Sequence, residues 1–386
     1  MASRFRADRA RAALGRLCSD SFAGRRVGSA GHDRARDWLA EALAEAGARV
    51  ELRPFSAEAD VLDLVEQPVV LVDHARALAH RTEVAEHPAS ASFDRVAGRV
   101  APPRGDVGGA WVALEEVGDL EAHAVQLAER RAAGILAPQR PFDGYLAKRI
   151  VARRPLALPV LSVEAGLLPT LVGRRLTASL RVRRLRVAGT HVLGHFGANG
   201  SAPLLLSAHY DGVGDDPALR LPGAADNASG AAVVLEVARA LAAEVRHGGR
   251  SLVVAFVDGE EANALGSRAL AAELAEQRLR PLVLNLDLAA RLASPVAVEA
   301  SADARPLLEA LDAAGRAFGV PLEIAPVASD NRRFAGAGFP SVGVGLGAHA
   351  YHTPADVPER VETAALATAG ELVLAAARHL TRKELP

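Results

Sequence analysis

From about residue 188 onward, continuous apolar runs alternate with amphipathic helical segments, and this alternation limits the available folds more than any other feature of the chain. HVLGHF, PLLLSAHYD, SLVVAFVD and PLVLNLDLA are too uniformly apolar for half-exposed strands, while SGAAVVLEVARALAAEV and SRALAAELAEQ carry helical spacing between them. Strands buried on both faces and separated by helices predict a mostly parallel sheet covered on each side. In such sheets the chemistry gathers just past the carboxyl ends of the strands.

The 386 residues are more than one compact core usually organises, and the first half of the chain reads differently. The opening Arg-rich stretch fits an amphipathic helix, with Phe5, Ala12, Leu14 and Leu17 available for a packed face. A second helix is expected from about Gly31, with Ala35, Trp38, Leu39, Ala42 and Leu43 at helical spacing and Gly47 as its stop. Around Phe55 the texture changes. From 56 to 187, short runs such as PVVLV, GAWVAL, GILAP and ALPVLSV are separated by Gly, Pro and charge, with one helix, LEAHAVQLAERRAAG. This segment reads as a small β-rich module with few polar residues of catalytic type. The Arg-rich run 174–187 reads as a strand with one solvated face.

Composition closes several routes. A net charge of -1 supplies no basic field for nucleic acid or anionic lipid, and 2 Trp, 3 Tyr and 10 Phe leave little for base stacking. Lone Cys18 excludes an intramolecular disulfide framework and a Cys-rich metal site, and only Lys148 and Lys383 could form a Schiff base. No apolar core of a secretory signal is visible, and the longest uncharged stretch is broken by glycine and proline, so a cytoplasmic location is the expectation.

Each strand of the second half ends in a side chain of metal-binding type. PLLLSAHYD ends in His209 and Asp211, GAADNASG places Asp226 before a helix, and SLVVAFVDGEE ends in Glu260 and Glu261. PLVLNLDLA ends in Asp287, and the last glycine-rich strand runs out to His352. A lone His-x-Asp is ordinarily a surface or cap feature, and a Glu-Glu pair ordinarily a solvated loop. Asp287 is harder to dismiss, because an unpaired carboxylate inside an apolar strand costs several kcal/mol. Together these residues form a ligand set for two zinc-like ions sharing a bridging carboxylate, with one carboxylate left over as a base. Asp211 falls where it can orient the imidazole of His209.

SAHYDGVG, GAADNASGAAVVLEVARAL, VVAFVDGEEANALGS, LNLDLA, SDNRRFAGAGFPSV and YHTPAD together resemble the co-catalytic di-zinc aminopeptidase family, which also includes carboxypeptidases and glutaminyl cyclases. The resemblance runs through residues 190–360. It implies a three-layer α/β/α sandwich on a mostly parallel mixed sheet, a peptide substrate and two Zn²⁺ ions. By that resemblance His209 and Asp287 bind one zinc, Glu261 and His352 bind the other, and Asp226 bridges them. It also makes Glu260 the general base and Asp211 the group that orients His209. Tyr351, beside His352, is the candidate oxyanion donor. More loosely, GAWVALEEVGDLEAHAVQLAERRAAGILAP and ALPVLSVEAG resemble a protease-associated domain, which implies that residues 56–187 are a small β-rich domain inserted into an α/β peptidase domain formed by residues 1–55 and 188–386. Ala225 and Asn331 depart from the family's pattern, where an acidic residue and a histidine are common.

Rival readings are a glutaminyl cyclase, a receptor-like module that has lost its metals, and a nucleotide-binding enzyme suggested by Gly343, Gly345 and Gly347. No helix pattern follows those glycines, so a crowded strand is the better reading. An aminopeptidase must recognise a free ammonium, and a carboxypeptidase needs a cation for the terminal carboxylate. The acidic centre favours the aminopeptidase; Arg332 and Arg333 are the motif-adjacent cations that would serve the alternative.

Overall fold

A computed structural model of the chain describes residues 4–198, 200–245 and 250–382. Helices α1 (Ala7–Leu17) and α2 (Ala30–Glu45) precede the long strand β1 (Arg49–Leu64). Seven short strands follow: β2 (Val69–Val72), β3 (Arg76–Ala77), β4 (Val84–Glu86), β5 (Phe93–Ala101), β6 (Trp111–Ala113), β7 (Gly134–Gln139) and β8 (Val160–Glu164). Helix α3 (Leu120–Glu129) joins β6 to β7, and the short α4 (Leu168–Leu171) leads into β9 (Arg175–Leu180). The chain then returns through β10 (Val182–Phe196), β11 (Leu204–His209), α5 (Ser229–Val245), β12 (Leu252–Val257), α6 (Leu265–Glu276) and β13 (Leu282–Ala289). It closes with β14 (Val296–Ala300), α7 (Arg305–Phe318), β15 (Leu322–Ile324), α8 (Asn331–Gly336), β16 (Ser341–Gly347) and α9 (Thr363–Arg382).

The larger sheet has the order β1-β10-β12-β11-β13-β16-β14-β15. Its four central strands, β12-β11-β13-β16, run parallel, and antiparallel pairs flank them. Every residue of β11 is buried, as its unbroken apolar run requires. Leu204, Leu206 and Ala208 pack in the core shared with α1, α5 and α9, while Leu205 packs with Leu270 and Phe334 of α6 and α8 on the opposite face. The sheet is thus the middle layer of an α/β/α sandwich, as expected. Helix α2 stops at Gly47, where φ is +90° and Ala48 N–H reaches back to the Leu43 carbonyl at 3.0 Å, an arrangement that favours glycine. In α1 the packed face consists of Ala10, Ala13, Leu14 and Leu17; Ala12, expected to join it, is exposed.

The second sheet, β3-β2-β9-β5-β6-β7-β8-β4, uses residues 69–180. The change of texture at Phe55 does not end a strand. β1 continues to Leu64, paired antiparallel with β10 from Arg49↔His195 to Leu64↔Val182, with a register shift between Ser56 and Asp60. Beyond that shift Val61, Leu62, Asp63 and Leu64 are all buried, with Asp63 paired to the exposed Arg183 and Asp60 to Arg186, so the period-two pattern is lost without loss of pairing. The Arg-rich run is therefore two strands that meet at Arg181, not one.

Candidate metal centre

Because the four central strands are parallel, their carboxyl ends lie along one edge of the sheet, and the sequence-nominated side chains meet there. His209 is the last residue of β11, and its Nε2 lies 3.1 Å from Asp226 Oδ1 and 3.5 Å from Asp287 Oδ1. His352 Nε2 lies 3.1 Å from Asp226 Oδ2 and 2.8 Å from Glu261 Oε2. The five residues thus form two triads, His209–Asp226–Asp287 and Asp226–Glu261–His352, whose ligand atoms lie within 4.8 Å of one another in each. Asp226 belongs to both and turns one oxygen to each histidine.

This arrangement suits cations. His209 Nε2, Asp287 Oδ1 and Glu261 Oε1 are buried without a hydrogen-bond partner, a costly state unless a metal ion engages them. Burial alone would lower the pKa of His209, but the carboxylates of Asp287, Asp211 and Asp226 reverse this and raise it well above the usual value. At His352 burial is likewise outweighed, by Glu261 and Asp226. Imidazole must be neutral to coordinate, so a metal entering here displaces protons from this cluster. The nitrogen and carboxylate donors fit zinc, and two triads around one shared carboxylate fit two ions.

The loop bearing Asp226 is gripped from both sides. The Asp356 carboxylate accepts from Ala225 N–H at 2.6 Å and from Asp226 N–H at 3.3 Å. On the other side Asn227 donates to the Leu286 carbonyl of β13 at 2.9 Å, and Ala289 N–H donates to Ser229 Oγ at 3.0 Å. Asp211 contacts both His209 and the next loop. Its Oδ1 and Oδ2 accept the backbone N–H groups of Glu260 and Glu261, each at 3.1 Å, and its own carbonyl faces His209 Nδ1 at 3.3 Å. Glu260 has no part in either triad. Burial raises its pKa well above the carboxylate range, and Asp330, Glu261 and Asp287 add to the effect against the opposing charge of His209.

Two carboxyl groups here were not singled out from sequence, although both lie inside the motifs quoted above. Asp356 is one. Asp330 is the other: both its oxygens are buried and without hydrogen-bond partners, and burial pushes it up to about 7. The departing residues have local roles. Ala225 supplies one of the N–H groups held by Asp356. Asn331 accepts from Ser329 N–H at 3.2 Å and packs so closely on β16 that a Cβ at Gly343 would lie 2.7 Å from it. That contact accounts for the first glycine of the strand in packing terms.

Tyr351 is 39% exposed, with its ring edge-on to Phe142 at 5.2 Å and to His352 at 5.0 Å between centroids. It lines a cleft of about 970 Å³ between the metal centre and the second sheet, together with Glu260, Glu261 and His352. Of the motif-adjacent cations, Arg332 is paired with Glu299 at 2.8 Å, and Arg333 donates to the Asn263 carbonyl at 3.0 Å.

A doubly covered parallel sheet with such a centre at its carboxyl edge is the architecture of a metal-dependent hydrolase. Residues 191–377, just under half of the chain, match the model of Peptidase family M28. No curated protein matches it in sequence. Among solved structures, BSAP, a zinc aminopeptidase from Bacillus subtilis, shares the fold with a TM-score of 0.76 and 21% identity, covering 100% of this chain and 97% of that one. An aminopeptidase from Aneurinibacillus sp. strain AM-1 gives 0.67 and 16%, covering 99% and 95%. The Porphyromonas gingivalis glutaminyl cyclase gives 0.56 and 16%, covering 98% and 99%.

Proposed function

We propose that the chain is a zinc-dependent aminopeptidase that removes N-terminal residues from peptides. The observation that carries this reading is the pair of triads sharing Asp226, with Glu260 beside them and outside both. His209 and Asp287 would hold one ion, Glu261 and His352 the other, with Asp226 between them. Bound there, the ions supply Lewis acidity that makes water a nucleophile near neutral pH and polarises the scissile carbonyl. Glu260 takes the proton of the attacking water and hands it to the leaving nitrogen, a task suited to a carboxyl group whose affinity for protons is raised. Asp211 positions Glu260 and Glu261 through their backbone N–H groups. Tyr351 is the proposed donor to the developing oxyanion.

The carboxylates at the centre favour a substrate ammonium group. The carboxypeptidase alternative called on Arg332 or Arg333, and the pairing of Arg332 with Glu299 and of Arg333 with Asn263 counts against it. The two triads likewise favour a two-ion peptidase over a one-ion cyclase.

The test is metal analysis with a panel of aminoacyl-p-nitroanilides on the purified protein. Two zinc ions per chain and hydrolysis of unblocked but not N-acetylated substrates are expected. Cleavage confined to N-blocked peptides, or cyclisation of an N-terminal glutaminyl peptide without hydrolysis, would overturn the assignment.

A further inference from the structure

The wall of the cleft opposite the metal centre carries Arg140, Arg149 and Arg153, all from the segment between β7 and β8. Most arginines elsewhere that face an acid are paired with it, as Arg53 is with Glu51 and Arg183 with Asp63. These three have no side-chain hydrogen bond or ion pair among the described residues. Of the acids lining the same cleft, Glu86 pairs with the buried Arg81 and Glu261 with His352, and Glu260 forms no ion pair with any of the three arginines. The cleft therefore presents three guanidinium groups that are paired with no acid among the described residues.

All three arginines are exposed, and the backbone that carries them is tied to the candidate metal centre. Lys148 N–H donates to the His352 carbonyl at 2.8 Å, so Arg149 is one residue away from a direct backbone bond to a member of the metal centre. Ala152 N–H bonds to the Asp60 carbonyl and Arg153 N–H to the Pro88 carbonyl, each at 3.0 Å, which holds the remainder of the segment. Phe142 packs on Tyr351 and brings the Arg140 end to the same mouth. His87, on the cleft wall, registers the field: burial, then the charges of Arg153 and Arg149, push it down to about 4.

We propose that Arg140, Arg149 and Arg153 form a carboxylate-binding subsite, so that the enzyme selects peptides with a negative charge on the leaving side of the scissile bond. The proposal rests on the peptidase reading in placing that bond beside Glu260. A guanidinium group meets a carboxylate through two parallel hydrogen bonds, and pairing in a cleft is less screened than on open surface. The carboxylate can come from an Asp or Glu just after the cut, or from the C-terminus of a short peptide.

Two substrate pairs separate these sources, each led by the residue that the p-nitroanilide panel favours. One is X-Gly-Gly against X-Gly-Gly amide, and the other X-Glu-Gly amide against X-Gln-Gly amide. At least one charged member should exceed its neutral partner by about tenfold or more in kcat/KM, mainly through KM. In R149Q/R153Q that ratio should fall to near one, and in R149K it should be partly kept, with melting temperature and zinc content verifying intact protein. Ratios near one in the parent enzyme, or ratios unchanged in the double variant, overturn the subsite. Calorimetric titration of the metal-free protein with Gly-Glu and with Gly-Gln amide reads the subsite without catalysis. Tighter binding of Gly-Glu, lost in R149Q/R153Q, would sustain it even if no unblocked peptide were cleaved, and equal binding would refute it.

Discussion

The backbone N–H of Glu260 donates to Asp211 Oδ1 at 3.1 Å, and that of Glu261 donates to the second oxygen of the same carboxylate. One buried side chain thereby sets the position of both the proposed base and a proposed ligand. In Asp211→Asn the amide nitrogen would face one of these N–H groups and could not accept from it. The loop should shift, and zinc affinity should fall by about 10–100-fold, as is usual when a group that supports metal ligands is removed. Competition against a chromogenic chelator reads the affinity. Unchanged affinity and turnover would show that the two bonds do not position the loop.

Glu260 and Glu261 are neighbours with different surroundings, and their variants should separate. Glu261 lies 2.8 Å from His352 within a triad, whereas Glu260 belongs to neither. Glu260→Gln should keep both ions and lose about 10²–10⁴ in kcat, the usual contribution of proton transfer. Glu261→Gln should retain about one ion per chain. Elemental analysis alongside turnover checks both, and identical metal contents would contradict the division of roles.

The grouping of the two triads could be read from the sequence because each of their residues ends an apolar strand run or sits in a glycine-rich turn. Parallel packing of the central strands then aligns those ends on one edge. Asp330 and Asp356 escaped notice because a carboxylate that accepts backbone N–H groups, or that lies buried beside others, has no periodic signature. The cationic wall could not be read either. Lys148 N–H reaches the His352 carbonyl across some two hundred residues of chain, and that contact depends on how the β1–β10 ribbon carries the second sheet back over the site. Ala12 failed for a simpler reason: several phases of an alanine-rich helix look equally apolar, and the burial of Ala10 and Ala13 was decided by α5 and α9.

Asp216 ties the second sheet to the loops of the metal centre. It accepts from Arg81 at 2.6 Å and pairs with Lys148 at 2.9 Å, and all three are buried. Burial opposes its ionisation, but the charges of Lys148 and Arg81 prevail and hold its pKa below the usual carboxylate range. Asp216→Asn would leave two buried cations with only Glu86 to balance them. Removing one partner of such a set typically costs about 3–5 kcal/mol. Urea unfolding should show a loss of this order, and a loss below about 1 kcal/mol would mean that water reaches the cluster.

Acid sensitivity should be traceable to His191. It is buried against Phe55 with ring centroids 4.8 Å apart, its Nδ1 accepts the Asp258 N–H at 3.2 Å, and its Nε2 has no hydrogen-bond partner. Burial pushes its pKa down to about 4, against an ordinary 6.5. Between those values the unfolded chain binds a proton that the folded chain refuses. The contribution of His191 is therefore complete above pH 6.5 and is lost as pH falls toward 4, at about 1.4 kcal/mol per pH unit. His32, raised by Asp258 despite its burial, acts in the opposite sense, so the net slope of the parent protein does not isolate either group. His191→Asn keeps an acceptor for the Asp258 N–H and cannot take up a proton. The stability difference between parent and variant should accordingly change with pH only between about 6.5 and 4, with the parent losing relative to the variant as acid is added. Parallel curves across that window would show that His191 titrates alike in the folded and unfolded chains.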